Sequence, residues 1–183
     1  KDFLPSNRVL EEKWERKLSK LKGPKIGLNW QGNKFRRQDK YRAVKLDFLE
    51  PLFNENSNLQ FVSVQKGFGA EQVDTFRFKK ELFYKDIDVD IEKELNAFED
   101  SIALIKQLNL LITVDTAIAH IASTLGVETW LLLSDRTDWR WSIKSSKSPW
   151  YKNMTLYRQK KLGDWSFPIR NIQQDLLKLF PLK

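Results

Sequence analysis

The chain has 183 residues, enough for one well-filled domain or two thin ones, and 41% of them are hydrophobic. It has no cysteine, which excludes disulfides and a thiolate nucleophile, a single histidine, which argues against zinc, and no run of about 18 apolar residues that reads as a membrane span. The net charge of +8 admits nucleic acid, a phosphorylated small molecule or a merely solvated basic surface; without a nucleic-acid motif or a glycine-arginine tract, the small anion ranks above nucleic acid.

The opening Lys1-Asp2-Phe3-Leu4-Pro5 has neither an initiator methionine nor a signal-peptide pattern. A piece of a longer, cytoplasmic protein is expected. Apolar residues at helical spacing over Leu10–Leu21 predict an amphipathic helix, ended by Gly23-Pro24 and assigned with residues 1–22 to a linker. Lys25–Trp30 reads as a first strand and Gln31–Arg42 as a polar, glycine-containing loop. Leu46–Phe53 reads as a short helix with Pro51 near its end. Leu59–Val64 is a second strand closed by Gln65-Lys66-Gly67. Phe68–Phe78 is undecided, Leu82–Tyr84 reads as a short strand, and Asp86–Asp90 as loop or strand. Phe98–Leu108 is a helix, Leu110–Val114 a third central strand, Thr116–Leu125 a helix stopped by Gly126, and Val127–Leu133 a fourth central strand. Ser134–Tyr151 is long, irregular and rich in tryptophan. Met154–Tyr157 is a last strand, and residues 169–180 form a C-terminal helix. Strands alternating with helices predict one α/β domain over residues 1–183, a Rossmann-like parallel sheet with helices on both faces.

The sharpest motif is the strand-to-helix junction at Asp115-Thr116. A helix start leaves its first N–H groups unpaired, and together with the helix dipole they favour an anion such as phosphate. Plain capping explains an Asp or Thr there equally well and stabilises any helix by about 1 kcal/mol. Ala117 and His120 follow on the same helix. A histidine on a helix face is often structural, yet an imidazole also donates to phosphate or sugar oxygens. In the loop after the first strand, Gly32 allows close backbone approach. Lys34, Arg36, Arg37, Lys40 and Arg42 offer cations, most of them solvated, with one or two expected on phosphate. After the second strand, Lys66 is suited to neutralising a diphosphate and Gln65 to reading a base or sugar edge; the alternative is an ordinary turn. Three strand ends carrying such groups predict one crevice. Among the tryptophans of the long loop, Trp139 and Trp141 are the candidates for stacking on a base or sugar, and packing is the usual role of the others. No Walker or GxGxxG pattern occurs, and a metal-free phosphate site suits these residues.

Ile26–Asn33 (IGLNWQGN), Phe61–Gly67 (FVSVQKG), Ile112–Gly126 (ITVDTAIAHIASTLG), Thr137–Trp141 (TDWRW), Ser148–Tyr151 (SPWY) and Arg158–Trp165 (RQKKLGDW) occur in order and cover nearly all of the chain after about residue 9. As a set they resemble the C-terminal half of a GT-B glycosyltransferase. They are similar to the glycosyltransferase-like domain found behind tetratricopeptide repeats in many bacterial proteins, and to the heptosyltransferases of family 9. The resemblance implies the donor-binding half of an enzyme that transfers a hexose or heptose from a nucleotide-diphosphate sugar, with no metal and no further cofactor. By analogy, the backbone at Asp115, Thr116 and Ala117 holds the diphosphate with His120 nearby. Lys66 and Gln65 face the nucleotide or leaving group, and Trp30, Gly32, Asn33 and Lys34 close over the donor. The acceptor half is missing, and in this family the general base commonly comes from that half, so no catalytic base is assigned. Lys40 and Tyr41 stand where relatives tend to carry other polar residues. The implied partners are a nucleotide sugar and an N-terminal acceptor domain, with tetratricopeptide repeats in the same longer chain. The alternatives are a non-catalytic module that binds a nucleotide or sugar phosphate, and a protein-interaction module.

Overall fold

The computed structural model describes residues 4, 7–33, 39–54, 58–83, 97–143 and 145–181. Among them, six strands form one sheet: β1 (Lys25–Asn29), β2 (Gln60–Ser63), β3 (Leu82–Phe83), β4 (Leu110–Val114), β5 (Glu128–Leu133) and β6 (Met154–Arg158). The spatial order is β3-β2-β1-β4-β5-β6 and every pairing is parallel. The order reverses between β1 and β4, which makes the gap beyond their carboxyl ends the topological switch point where open α/β sheets bind ligands. Leu28 pairs with Ile112 and Asn29 with Thr113, so Asn29 and the Asp115-Thr116 junction come out side by side.

The helices are α1 (Arg8–Leu18), α2 (Asp39–Arg42), α3 (Glu50–Asn54), α4 (Ala97–Ile105), α5 (Ala117–Thr124) and α6 (Ser166–Leu179). β4 is buried along its whole length, which is why its sequence is a continuous apolar run rather than an alternating one. Leu110, Ile112 and Val114 join a cluster with Leu52 of α3 and Ile172 and Leu176 of α6. Leu111 joins a second cluster with Trp14 and Leu18 of α1 and Leu104 of α4. Helices therefore cover both faces. A third cluster gathers Ala119 of α5, Leu131, Leu133, Met154, Leu156 and Trp141.

Several expectations shift, each for a local reason. The expected helix of the 1–22 linker runs over residues 8–18 and packs on α4. Asn7 accepts a hydrogen bond from the Leu10 N–H at 3.3 Å, and the fully buried Trp14 donates its indole N–H to Asp100 of α4 at 2.8 Å. The expected helix over 46–53 divides into a 3-10 turn (Leu46–Leu49) and α3. Pro51 lies in the first turn of α3, where its missing N–H removes no helical hydrogen bond, so it starts a helix rather than ending one. The polar loop after β1 closes with α2, and the undecided 68–78 contains a 3-10 turn at Ala70–Asp74. α6 begins at Ser166, ahead of the expected Ile169, because Asp164 accepts from the Ser166 N–H at 2.9 Å and Pro168 is tolerated in a first turn. The expectation for Asp86–Asp90 lies outside the described residues.

Candidate functional site

At the switch point lies a cavity of about 450 Å³. Asn29, Gln31, Gly32 and Asn33 line it from the end of β1, and Val64, Lys66, Gly67 and Phe68 from the end of β2. Phe98 and Ser101 of α4 and Thr116, Ala117 and Ile118 at the start of α5 complete it. Thr116 precedes α5 in extended backbone but its side chain caps nothing; its hydroxyl donates instead to Asn29 Oδ1 at 3.2 Å. Ala117 and Ile118, whose N–H groups have no partner further back in the helix, line the cavity, so the start of α5 borders it. Lys66 Nζ lies 4.0 Å from Asp100 Oδ2. The other oxygen of this buried carboxylate accepts from Trp14 Nε1 at 2.8 Å and Lys13 Nζ at 3.0 Å. The cavity lysine is thereby set by a carboxylate that α1 and α4 share.

The frame of the cavity is Gln65, and here the sequence-based expectation is corrected. Its Oε1 accepts from Asn29 Nδ2 (3.2 Å) and from the backbone N–H groups of Trp30 (3.0 Å) and Gln31 (2.9 Å). Its Nε2 donates to the carbonyls of Gln31 (2.9 Å), Lys66 (3.3 Å) and Phe68 (2.7 Å). Every polar atom of this buried amide is engaged in tying the β1 loop to the β2 loop, which leaves none to read a base or sugar. Trp30 is likewise core rather than lid. It is fully buried, and its indole N–H donates to the Gly69 carbonyl at 3.0 Å.

A second cluster adjoins the cavity through the Asp115–Thr116 backbone. The Asp115 carboxylate is only 4% exposed, with Arg42 Nη1 at 3.3 Å and Arg140 Nη2 at 3.9 Å. Two guanidiniums, one at the end of α2 and one in the loop after β5, neutralise a charge that would otherwise be costly to bury. Arg140 is itself oriented by Asp138, whose carboxyl it holds below the usual range through its backbone N–H and guanidinium. His120 Nδ1 lies 3.0 Å from the Tyr151 hydroxyl, and its ring stacks on Trp141 at 5.4 Å with 25° between planes. Burial lowers the His120 pKa from its ordinary 6.5; Asp115 opposes the shift and Arg140 adds to it. Burial thus favours the neutral imidazole.

The structure brings Gly32, Asn33, Lys66, Thr116 and Ala117 together on the cavity, and Asp115 with His120 beside it. It separates the two stacking candidates: Trp139 is 82% exposed, whereas Trp141 is fully buried and serves as the platform under His120. Lys34, Arg36, Arg37 and the side chain of Lys40 lie outside the described residues. Sequence reasoning missed Asn29, Arg140 and Tyr151. The signal for Asn29 was present, a lone amide ending an apolar strand. In TDWRW the tryptophans drew attention from the arginine between them.

No protein-family model matches the chain, and no curated protein sequence does. Among solved structures the fold is shared. The parallel six-stranded unit superposes on E. coli ADP-heptose LPS heptosyltransferase II with a TM-score of 0.66 at 13% identity, over 96% of this chain and 52% of that one. It matches a glycosyl transferase of family 9 from Veillonella parvula with a TM-score of 0.64 at 12% identity, over 96% of this chain and 53% of that one. It matches E. coli heptosyltransferase WaaC with ADP-2-deoxy-2-fluoro heptose with a TM-score of 0.59 at 10% identity, over 97% and 50%. The chain thus has a Rossmann-like, glycosyltransferase-type α/β fold, similar to family 9 heptosyltransferases, and spans about half the length of these structures. Among the described residues no helix is long and apolar enough to cross a membrane.

Proposed function

We propose that this chain is the donor-binding half of a metal-independent glycosyltransferase that uses a nucleotide-diphosphate sugar, heptosyl- or hexosyltransferase-like, and works with an N-terminal acceptor domain. The observation that carries this reading is the cavity of about 450 Å³ at the switch point, where the start of α5 meets Lys66. A diphosphate laid there meets the start of α5, the positive end of the helix dipole and an ammonium, with His120 one turn along. Gly32 and Asn33 face the nucleotide or the sugar from the β1 side. The solved structure that holds an ADP-heptose analogue has this fold, which supports the class of donor. Tetratricopeptide repeats in the same longer chain are part of the proposal.

Transfer in this reading is direct displacement. The acceptor oxygen bonds to the anomeric carbon as the bond from that carbon to the diphosphate oxygen breaks. The electron pair leaves with the diphosphate, and the acceptor proton goes to a base of the acceptor domain. This chain's contribution is to stabilise the charge that grows on the leaving group, through Lys66 and the α5 N–H groups.

Calorimetric titration with UDP, GDP, ADP, CMP and their sugars, with and without EDTA, tests the reading. One nucleoside diphosphate binds, EDTA leaves its Kd unchanged, and Lys66→Ala weakens it by about tenfold, the loss of one charge-assisted hydrogen bond. Failure of all of them to bind defeats it. The second reading, a module that binds donor without transferring, draws on the half-length match; turnover by the full-length protein decides between the two.

A further inference from the structure

His120 is the chain's only histidine, and two aromatic residues of one loop fix it. Trp141, fully buried among Ala119, Leu131 and Met154, supports its face. Tyr151 meets its Nδ1 edge at 3.0 Å. Tyr151 is not there by accident of a loose loop. The Ser148 hydroxyl accepts from the backbone N–H groups of Trp150 and Tyr151, both at 3.2 Å, and the Tyr151 carbonyl accepts from the Met154 N–H at 3.3 Å, tying the turn to the start of β6.

The direction of the His–Tyr hydrogen bond decides what His120 offers to a ligand. A neutral imidazole has one donor and one acceptor nitrogen. Were Nδ1 to donate to Tyr151, Nε2 would be left a lone-pair acceptor, which repels a phosphate oxygen. Were Tyr151 to donate, Nε2 would carry the proton. The Tyr151 hydroxyl meets Nδ1 at 3.0 Å, and a phenol is a good donor but a weak acceptor, whereas the imidazole lone pair is a strong acceptor, so donation from Tyr151 to Nδ1 is the favoured arrangement. We propose that Tyr151 is a positioning residue: its hydroxyl donates to Nδ1 of His120 and holds the imidazole as the tautomer with the proton on Nε2, ready to donate to the diphosphate of a bound nucleotide. The ligand half of this statement rests on the donor-binding reading; the tautomer half does not.

A single histidine makes the test direct. In the full 183-residue chain labelled with 15N-histidine, only two ring-nitrogen resonances are present. At pH 7.5, Nδ1 of the wild type resonates as an unprotonated acceptor and Nε2 as a protonated nitrogen. In Tyr151→Phe, which keeps the ring and its packing, the separation between the two resonances shrinks as the second tautomer becomes populated. The amide spectrum meanwhile keeps its folded dispersion. Affinity for the nucleoside diphosphate that the wild type binds falls about threefold, the cost of re-immobilising one freed side chain. A proton on Nδ1 in the wild type, or ring-nitrogen shifts unchanged in Tyr151→Phe, overturns the proposal. Wild-type nitrogens as stated, with no nucleoside diphosphate bound, uphold the hold of Tyr151 on His120 and defeat the donor-site reading instead.

Discussion

At the scale of single residues, Gln65 shows how a polar side chain at a ligand-binding edge serves the fold before the ligand. Its oxygen takes three N–H groups and its nitrogen supplies three carbonyls, all at the end of β1 and in the two loops that follow β1 and β2. Removing the amide leaves buried backbone groups unpaired, each costing 1–3 kcal/mol. Gln65→Ala is therefore expected to destabilise the chain by about 3 kcal/mol, read as a lowered urea midpoint with unchanged slope. Gln65→Glu, though isosteric, is no gentler, because it replaces the donating NH2 with a carboxylate oxygen, an acceptor facing three carbonyl oxygens. A loss under about 1 kcal/mol for both variants contradicts the clamp. The arrangement at Asp115 has the same logic with charges. The carboxylate binds α2 through Arg42 and the loop after β5 through Arg140.

At the scale of elements, the close layering of β1 against β4 and the segment after α4 depends on Gly27. A Cβ there would stand 2.5 Å from Leu108 Cδ1, 2.9 Å from Leu111 Cδ1 and 3.1 Å from Val64 Cγ2. Three apolar side chains converge on one point, so none can yield without pressing another. Gly27→Ala is expected to cost about 2 kcal/mol as an overpacked core, with a Tm lowered by several degrees in a thermal melt. An unchanged Tm means that the two leucines rearrange freely. The strands themselves were legible to within a residue or two, because strands buried on both faces of a parallel sheet are apolar runs with abrupt ends. Strand ends carry the cavity, and parallel order alone brings Gly32, Lys66 and Thr116 to the same edge. What the chain order does not encode is which way a side chain turns once there. Trp30 and Trp139 look alike in sequence, yet one is core and the other 82% exposed. Tyr151 meets His120 across 31 positions through an irregular loop, a pairing with no periodic signature.

At the scale of the whole molecule, the +8 charge raises the question of whether this is a nucleic-acid surface or an anion site in a basic protein. Several of the cations are matched among the described residues. Lys13 lies against Asp100, Arg42 and Arg140 against Asp115, Lys106 against Glu11 and Lys178 against Asp175, on opposite faces and ends of the sheet. The two kinds of binding differ sharply in their response to salt. A protein that covers 6–10 nucleic-acid phosphates loses about 10³–10⁵ in affinity between 50 and 200 mM salt, through counterion release. A nucleoside diphosphate, held by helix N–H groups and one partly buried lysine, is screened much less, and should lose about tenfold or less over the same range. It should also act as a stabilising ligand: at 100 times its Kd it adds about 2.7 kcal/mol, which a thermal melt in 200 mM salt registers as a raised Tm. Single-stranded and duplex oligonucleotides under the same conditions should leave the Tm where it was. A Tm raised by oligonucleotides and unmoved by every nucleoside diphosphate would reverse the assignment, because the charge of the chain would then be acting as an extended surface and the switch-point cavity would be idle.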